Sequence, residues 1–216
     1  MKRLCKMLAA AALALALTVP TVEAARDIQL PTVEIGEGMS VTTALSIRRS
    51  TRDFSNEALT NDQLSKIFWA ANGINRPKTG GRVNPAAHGE YIIDVYAIMS
   101  DGIYCYDPTA HKLVLIVAGD YRELATKKAD SWPSKAPLNL VYVAKNDGKA
   151  PHDATKQARY VGVAAGTMAQ SVALVVESEK LGACVRGSVD NDRFRQTAGL
   201  SDNQEILLAQ TIGVLR

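Results

Sequence analysis

Clustered metal ligands, a glycine-rich nucleotide loop and an excess of charge are all missing from this chain. Its three histidines, His88, His111 and His152, stand singly, and its three cysteines are Cys5, Cys105 and Cys184. Neither set has the close spacing that marks a zinc or other metal site. No G-x-G-x-x-G occurs, so no separate dinucleotide-binding domain is indicated. Lys78-Thr79-Gly80 and Ser201-Asp202-Asn203 resemble two motifs of serine acyl-enzymes, but they come in the wrong order and without a Ser-x-x-Lys nucleophile.

What is present begins with a leader. Lys2, Arg3 and Lys6 precede an apolar, alanine-rich run from Met7 to Val19, and Val22-Glu23-Ala24 offers small residues for cleavage. The run is short for a membrane span, and Cys5 lies before it, not at a lipoprotein position. Residues 1–24 therefore read as a signal peptide, and the expectation is an exported protein, periplasmic or secreted, with no stable membrane anchor. Removing them leaves 22 basic against 21 acidic residues. A near-neutral chain gives no electrostatic reason to expect nucleic acid as a partner. Cys105 and Cys184 remain and are able to pair in an oxidising compartment if the fold brings them together.

The rest fits one domain, 41–216, behind an extended arm at 25–40 that holds Pro31, Gly36 and Gly38 without periodicity. Thr42–Ile47 reads as a short helix. Thr60 with Gln63 forms a capping box, and Leu64, Ile67, Phe68 and Ala71 follow at helical spacing as far as Asn72-Gly73. Residues 75–89 read as a loop, and 91–99, 103–106, 112–117 and 138–144 as strands, with Asp107-Pro108-Thr109-Ala110 as a turn. A helix is expected over 119–129 and the longest one over 157–180. Strand 183–186, helix 190–198 and strand 206–214 close the domain. No βαβ rhythm repeats, so the fold class is α+β.

Arg48-Arg49-Ser50-Thr51-Arg52-Asp53-Phe54 packs three guanidinium groups and two hydroxyls into five positions, a set suited to a phosphate. It resembles the opening motif of the nitroreductase family, the FMN-dependent oxidoreductases. The helix from Thr60 to Gly73, the stretch from Arg82 to Tyr91 leading into Val95–Ile98, and Leu181-Gly182-Ala183-Cys184-Val185-Arg186-Gly187 resemble three further family segments in the same order. The hairpin Ile103–Pro108 is similar to that of the azoline-oxidising dehydrogenases of peptide biosynthesis.

The resemblance implies a mostly antiparallel central sheet flanked by helices, in an interlocked homodimer with one FMN bound by both subunits. The long helix is rich in small residues from Gly162 to Ala173 and would form the dimer core. By position, Arg48 and Ser50 would hold the phosphate or ribityl end, with Arg49 beside them in a structural role. Arg52 would lie near the pyrimidine edge. Pro85, Ala86 and Ala87 would contact the flavin, and Val185, Arg186 and Gly187 would approach N5. Arg216 falls at a basic phosphate position. Ala86 and His88-Gly89-Glu90 depart from the family's usual Ser and Gly-Asn or Gly-Ala, which removes a hydroxyl and makes His88 a candidate substrate contact or proton donor.

The function implied is hydride transfer to or from a small organic substrate: a nitroaromatic, a quinone or an unsaturated ring. An exported enzyme meets little NAD(P)H, so the electron donor stays open. The alternative is a non-catalytic dimer of the same fold that binds flavin or another small ligand.

Overall fold

The computed structural model describes residues 25–36, 38–128, 131–146 and 154–216. The leader read at 1–24 lies outside these residues. The strands are β1 (Ile28–Gln29), β2 (Ile74–Arg76), β3 (Gly81–Arg82), β4 (Ile93–Ile98), β5 (Gly102–Asp107), β6 (Lys112–Ala118), β7 (Leu138–Lys145), β8 (Leu181–Arg186) and β9 (Gln204–Val214). The helices are α1 (Val41–Ile47), α2 (Asn61–Asn72), α3 (Trp132–Lys135), α4 (Ala154–Ser178) and α5 (Asn191–Thr197). A seven-stranded sheet runs in the order β1-β6-β5-β4-β7-β9-β8, and every neighbouring pair in it is antiparallel. Strands β2 and β3 form a separate hairpin.

Both faces of the sheet are covered, and the period-2 alternation of its central strands decides which side chain goes where. Val95 and Ala97 of β4 and Leu138, Leu140 and Tyr142 of β7 join the core beneath α2 and α4. Their neighbours Tyr96, Ile98, Val141 and Val143 point to a second core, roofed by Leu124, Val189 and Phe194. On α4, Val161, Ala165, Met168, Val172 and Val176 are buried at helical spacing. The helix is long and apolar enough to cross a membrane by composition, but this stripe packs it onto the sheet. Its Gly162, Val163 and Gly166 face open space instead.

Local chemistry explains the ends of the elements. The Thr60–Gln63 capping box forms as its residues predict, and the Gly73 N–H donates to the Trp69 carbonyl. The helix expected over 119–129 is only a 3-10 turn at Arg122–Ala125. Asp120 accepts from the backbone N–H of Arg122 at 3.1 Å and clamps its guanidinium at 2.6 and 2.9 Å, which diverts the first turn. Thr126 Oγ1 then accepts from the Lys128 N–H at 3.1 Å and ends it. The stretch 75–89, read as loop, contains most of the β2–β3 hairpin, and the arm contributes β1 to the sheet.

The arm is fastened by a polar cluster. His111 Nε2 lies 3.0 Å from the Pro31 carbonyl and 2.8 Å from Ser65 Oγ, and its Nδ1 lies 2.8 Å from the Tyr106 hydroxyl. Burial lowers the His111 pKa, opposed in part by the Pro31 carbonyl.

Both cysteines of the domain are free thiols. Cys105 sits on β5 and Cys184 on β8, four strand spacings apart, or roughly 19 Å at about 4.8 Å per step. A disulfide between them is sterically impossible. Burial pushes the Cys105 thiol up to about 12.

Candidate functional site

The arginine cluster is carried by the segment that leaves α1 and lies against the end of the sheet. Ser50 bridges to Ala183 of β8, and the Thr51 N–H donates to the Ala183 carbonyl at 2.8 Å. Further on, Phe54 bridges to Leu215, and the Ser55 N–H donates to the Val214 carbonyl at 2.9 Å. Glycines make this approach possible. A Cβ on Gly182 would come within 3.1 Å of both Thr51 and Phe54, and one on Gly213 within 3.0 Å of Phe54. Phe54 is buried and anchors the segment, its ring 6.0 Å from that of Trp132.

Arg48, Arg49, Ser50 and Arg52 are all exposed on this anchored backbone. Among the described residues none of the three guanidinium groups is ion-paired; Arg49 is held only through its backbone N–H, 3.4 Å from Glu177 Oε1. Arg216 reaches the same place, with Nη1 3.6 Å from Asp53 Oδ1. Three like charges in five residues, carried on an anchored backbone and without counter-ions among the described residues, form a candidate site for an anion.

The end of β8 lies beside this cluster. Val185 is exposed, and a Cβ on Gly187 would meet nothing within 4 Å, so a flat ring can come against the backbone there. The Arg186 side chain turns inward, away from the exposed backbone of this turn. Its Nε donates to Thr211 Oγ1 at 2.8 Å and its Nη2 to Asn139 Oδ1 at 2.7 Å, while Nη1 donates to the carbonyls of Ala125 and Ser188. The Thr211 hydroxyl donates to the same Asn139 oxygen at 2.7 Å, and Asn139 Nδ2 donates to the Pro133 carbonyl at 2.9 Å. The guanidinium also lies 6.0 Å over the Trp132 ring. Desolvation pushes the Arg186 pKa down to about 10, so the group keeps its charge at neutral pH.

Pro85, Ala86 and Ala87 are elsewhere. Asn84 pins their loop, with Nδ2 donating to the carbonyls of Ala70 at 2.6 Å and Ala71 at 2.9 Å and Oδ1 accepting from the Ser171 hydroxyl at 2.6 Å. The three residues line a pocket with Tyr160, Val161 and Ala164 of α4. His88 is exposed, adopts φ 56°, and sets its ring edge-to-face with Tyr160 at 5.8 Å. Arg49 meets α4 at Glu177, whereas the Pro85–Ala87 pocket takes its α4 lining from Met168 back to Tyr160, roughly 13–25 Å away along the helix, with Asn84 reaching Ser171 between them. One chain brings Arg48–Arg52, Arg216 and Val185–Gly187 together and holds Pro85–Ala87 away. Sequence reasoning missed Trp132, Asn139 and Thr211, which are joined to Arg186 only by long-range packing.

The chain belongs to the nitroreductase family, whose model matches residues 45–214. A crystal structure of a nitroreductase-family protein from Ralstonia eutropha JMP134 is similar at 38% identity and a TM-score of 0.83, covering 92% of each chain. A curated relative from Methanocaldococcus jannaschii, likewise described as nitroreductase-type, is 28% identical over 191 residues, 84% of this chain and 94% of its own. A nitroreductase-type protein from Desulfovibrio desulfuricans, solved in complex with FMN, shares the fold at a TM-score of 0.57 and 17% identity, covering 82% of this chain and 87% of that one.

Proposed function

We propose that this protein is an exported, homodimeric FMN-dependent oxidoreductase acting on a small organic substrate. The observation that carries the reading is the cluster Arg48, Arg49 and Arg52 with Ser50, on an anchored backbone and without ion pairs among the described residues, beside an open strand end at Val185–Gly187. These residues fit FMN: guanidinium forks and a hydroxyl for the phosphate, and bare backbone at Gly187 for the ring. Bound there, FMN would supply ping-pong hydride transfer through N5.

The chain's own part is to bind and orient. Arg48 and Ser50 take the phosphate end, Arg216 adds charge from the far side, and Arg52 offers a positive charge to the ring's pyrimidine edge. Pro85, Ala86 and Ala87 reach the same flavin only from a second subunit. A two-fold axis across α4 pairs two such helices antiparallel, which carries one protomer's Pro85 loop towards the other's arginine cluster. Gly162, Val163 and Gly166 leave the exposed face of α4 low enough for close helix contact. Exposed Val41, Leu45 and Ile47 of α1 add apolar surface near it. The signal-like residues 1–24 support export, and the physiological electron donor is left open.

The test is an absorption spectrum after incubation with excess FMN and desalting, together with the mass in solution. Retained visible flavin bands at about one per chain, on a dimer, are expected. A colourless protein refutes the cofactor. Stable colour without reduction by any donor favours the non-catalytic binder.

A further inference from the structure

Arg186 stands out because its charge is held without a counter-ion. Its protein acceptors are two carbonyls, an amide oxygen and a hydroxyl, all neutral, and among the described residues no carboxylate contacts it. Hydrogen-bond satisfaction alone does not require this arrangement, since a neutral side chain would be cheaper to desolvate at a half-buried position. The residue is also the middle one of Val185–Gly187, the backbone assigned above to the flavin's reacting edge. Trp132 lies over its guanidinium and touches Phe54 as well, so the charge is linked to both cofactor-holding segments.

We propose that Arg186 is a positioning residue that sets the flavin's reduction potential, its fixed charge beneath the turn favouring the reduced, more negative form of the cofactor. The proposal rests on the FMN reading. Arg52 is exposed in the single chain and would meet the ring's pyrimidine edge from outside the fold. Arg186 acts through protein, with a lower effective dielectric and no opposing charge. Asn139 and Thr211 fix the guanidinium so that little reorganisation accompanies reduction.

The experiment is the midpoint potential of FMN-loaded protein, measured by equilibration with a reference dye, for wild type, Arg186→Gln, Arg186→Lys and Asn139→Asp. Arg186→Gln removes the charge and is expected to shift the oxidised–reduced equilibrium at least tenfold towards oxidised, a lowering of about 30 mV for a two-electron couple. Arg186→Lys keeps a charge and should stay near wild type. Asn139→Asp leaves the arginine in place, puts a carboxylate against it, and should lower the potential in the same direction without relying on the fold tolerating loss of Arg186. Equal potentials in wild type and Asn139→Asp, or equal shifts in Arg186→Gln and Arg186→Lys, overturn the proposal while leaving the FMN reading intact. A wild-type protein that retains no FMN overturns both.

Discussion

The arginines of this protein come in two kinds. Arg48, Arg49 and Arg52 are exposed on a backbone pinned by Phe54 and have no ion-pair partner among the described residues, whereas Arg186 is half-buried with its donors spent on neutral groups. The first kind costs the folded chain little and leaves its hydrogen-bonding capacity for a ligand. The second is woven into the packing of β7, β8 and β9, so its removal leaves Asn139 and Thr211 short of partners. Residue type is the same in both; the surroundings decide whether the donors are left for a ligand or spent within the packing.

The sharpest way to break the comparison is at the anchor both regions share. Phe54→Ala should cost about 3–5 kcal/mol in a denaturant melt, as a buried aromatic lost from a packed site does, and should weaken FMN retention by loosening the arginine segment. Arg186→Ala is expected to destabilise by about 2–3 kcal/mol through unsatisfied polar groups. Arg48→Ala should reverse that pattern. FMN titration is expected to show affinity weakened by about 1.5–3 kcal/mol, the value of a charge-assisted hydrogen bond, with stability changed by under about 0.5 kcal/mol. A large stability loss there would place Arg48 with the second kind.

His111 supplies a smaller, pH-dependent effect. Its folded pKa lies below the ordinary value of about 6.5. Above that value both states are neutral and the contribution is fully present. As pH falls below it the unfolded chain takes up the proton first, and stability is lost. The urea midpoint should therefore drop between pH 7 and 5, and less so in His111→Gln. Least of all, Cys105, its thiol pushed up to about 12, should resist a thiol reagent at pH 8 in the native state.

Most elements were legible in the sequence because they are fixed locally. The Thr60–Gln63 box, the spacing of Leu64, Ile67, Phe68 and Ala71, and the strand-like run into Ile98 carry their own signals. The failures have physical causes. Asp120 competes with the backbone of the expected 119–129 helix, and β1 is two residues that exist only because β6 offers an edge. At the site, the motif Arg48–Phe54 was visible as a cluster of residue types. The inward turn of Arg186 was not, since its partners Asn139 and Thr211 are 47 and 25 residues away. The separation of the Pro85 loop from the arginine cluster is likewise set by the length of α4, a distance no motif expresses.

The two ends of the main sheet are both finished by the first part of the domain. Ile28–Gln29 closes it beside β6, and Ser50–Ser55 covers the outer side of β8 and the tail of β9. Bare strand edges invite pairing with other chains, and here neither can be sealed by neighbours in sequence. Ile28–Gln29 must find β6 at one end, and Ser50–Ser55 must find β8 and the tail of β9, far along the chain, at the other. Both edges therefore stay open until contacts between segments distant in the chain are made, which ties solubility during folding to long-range closure and not to any local hairpin.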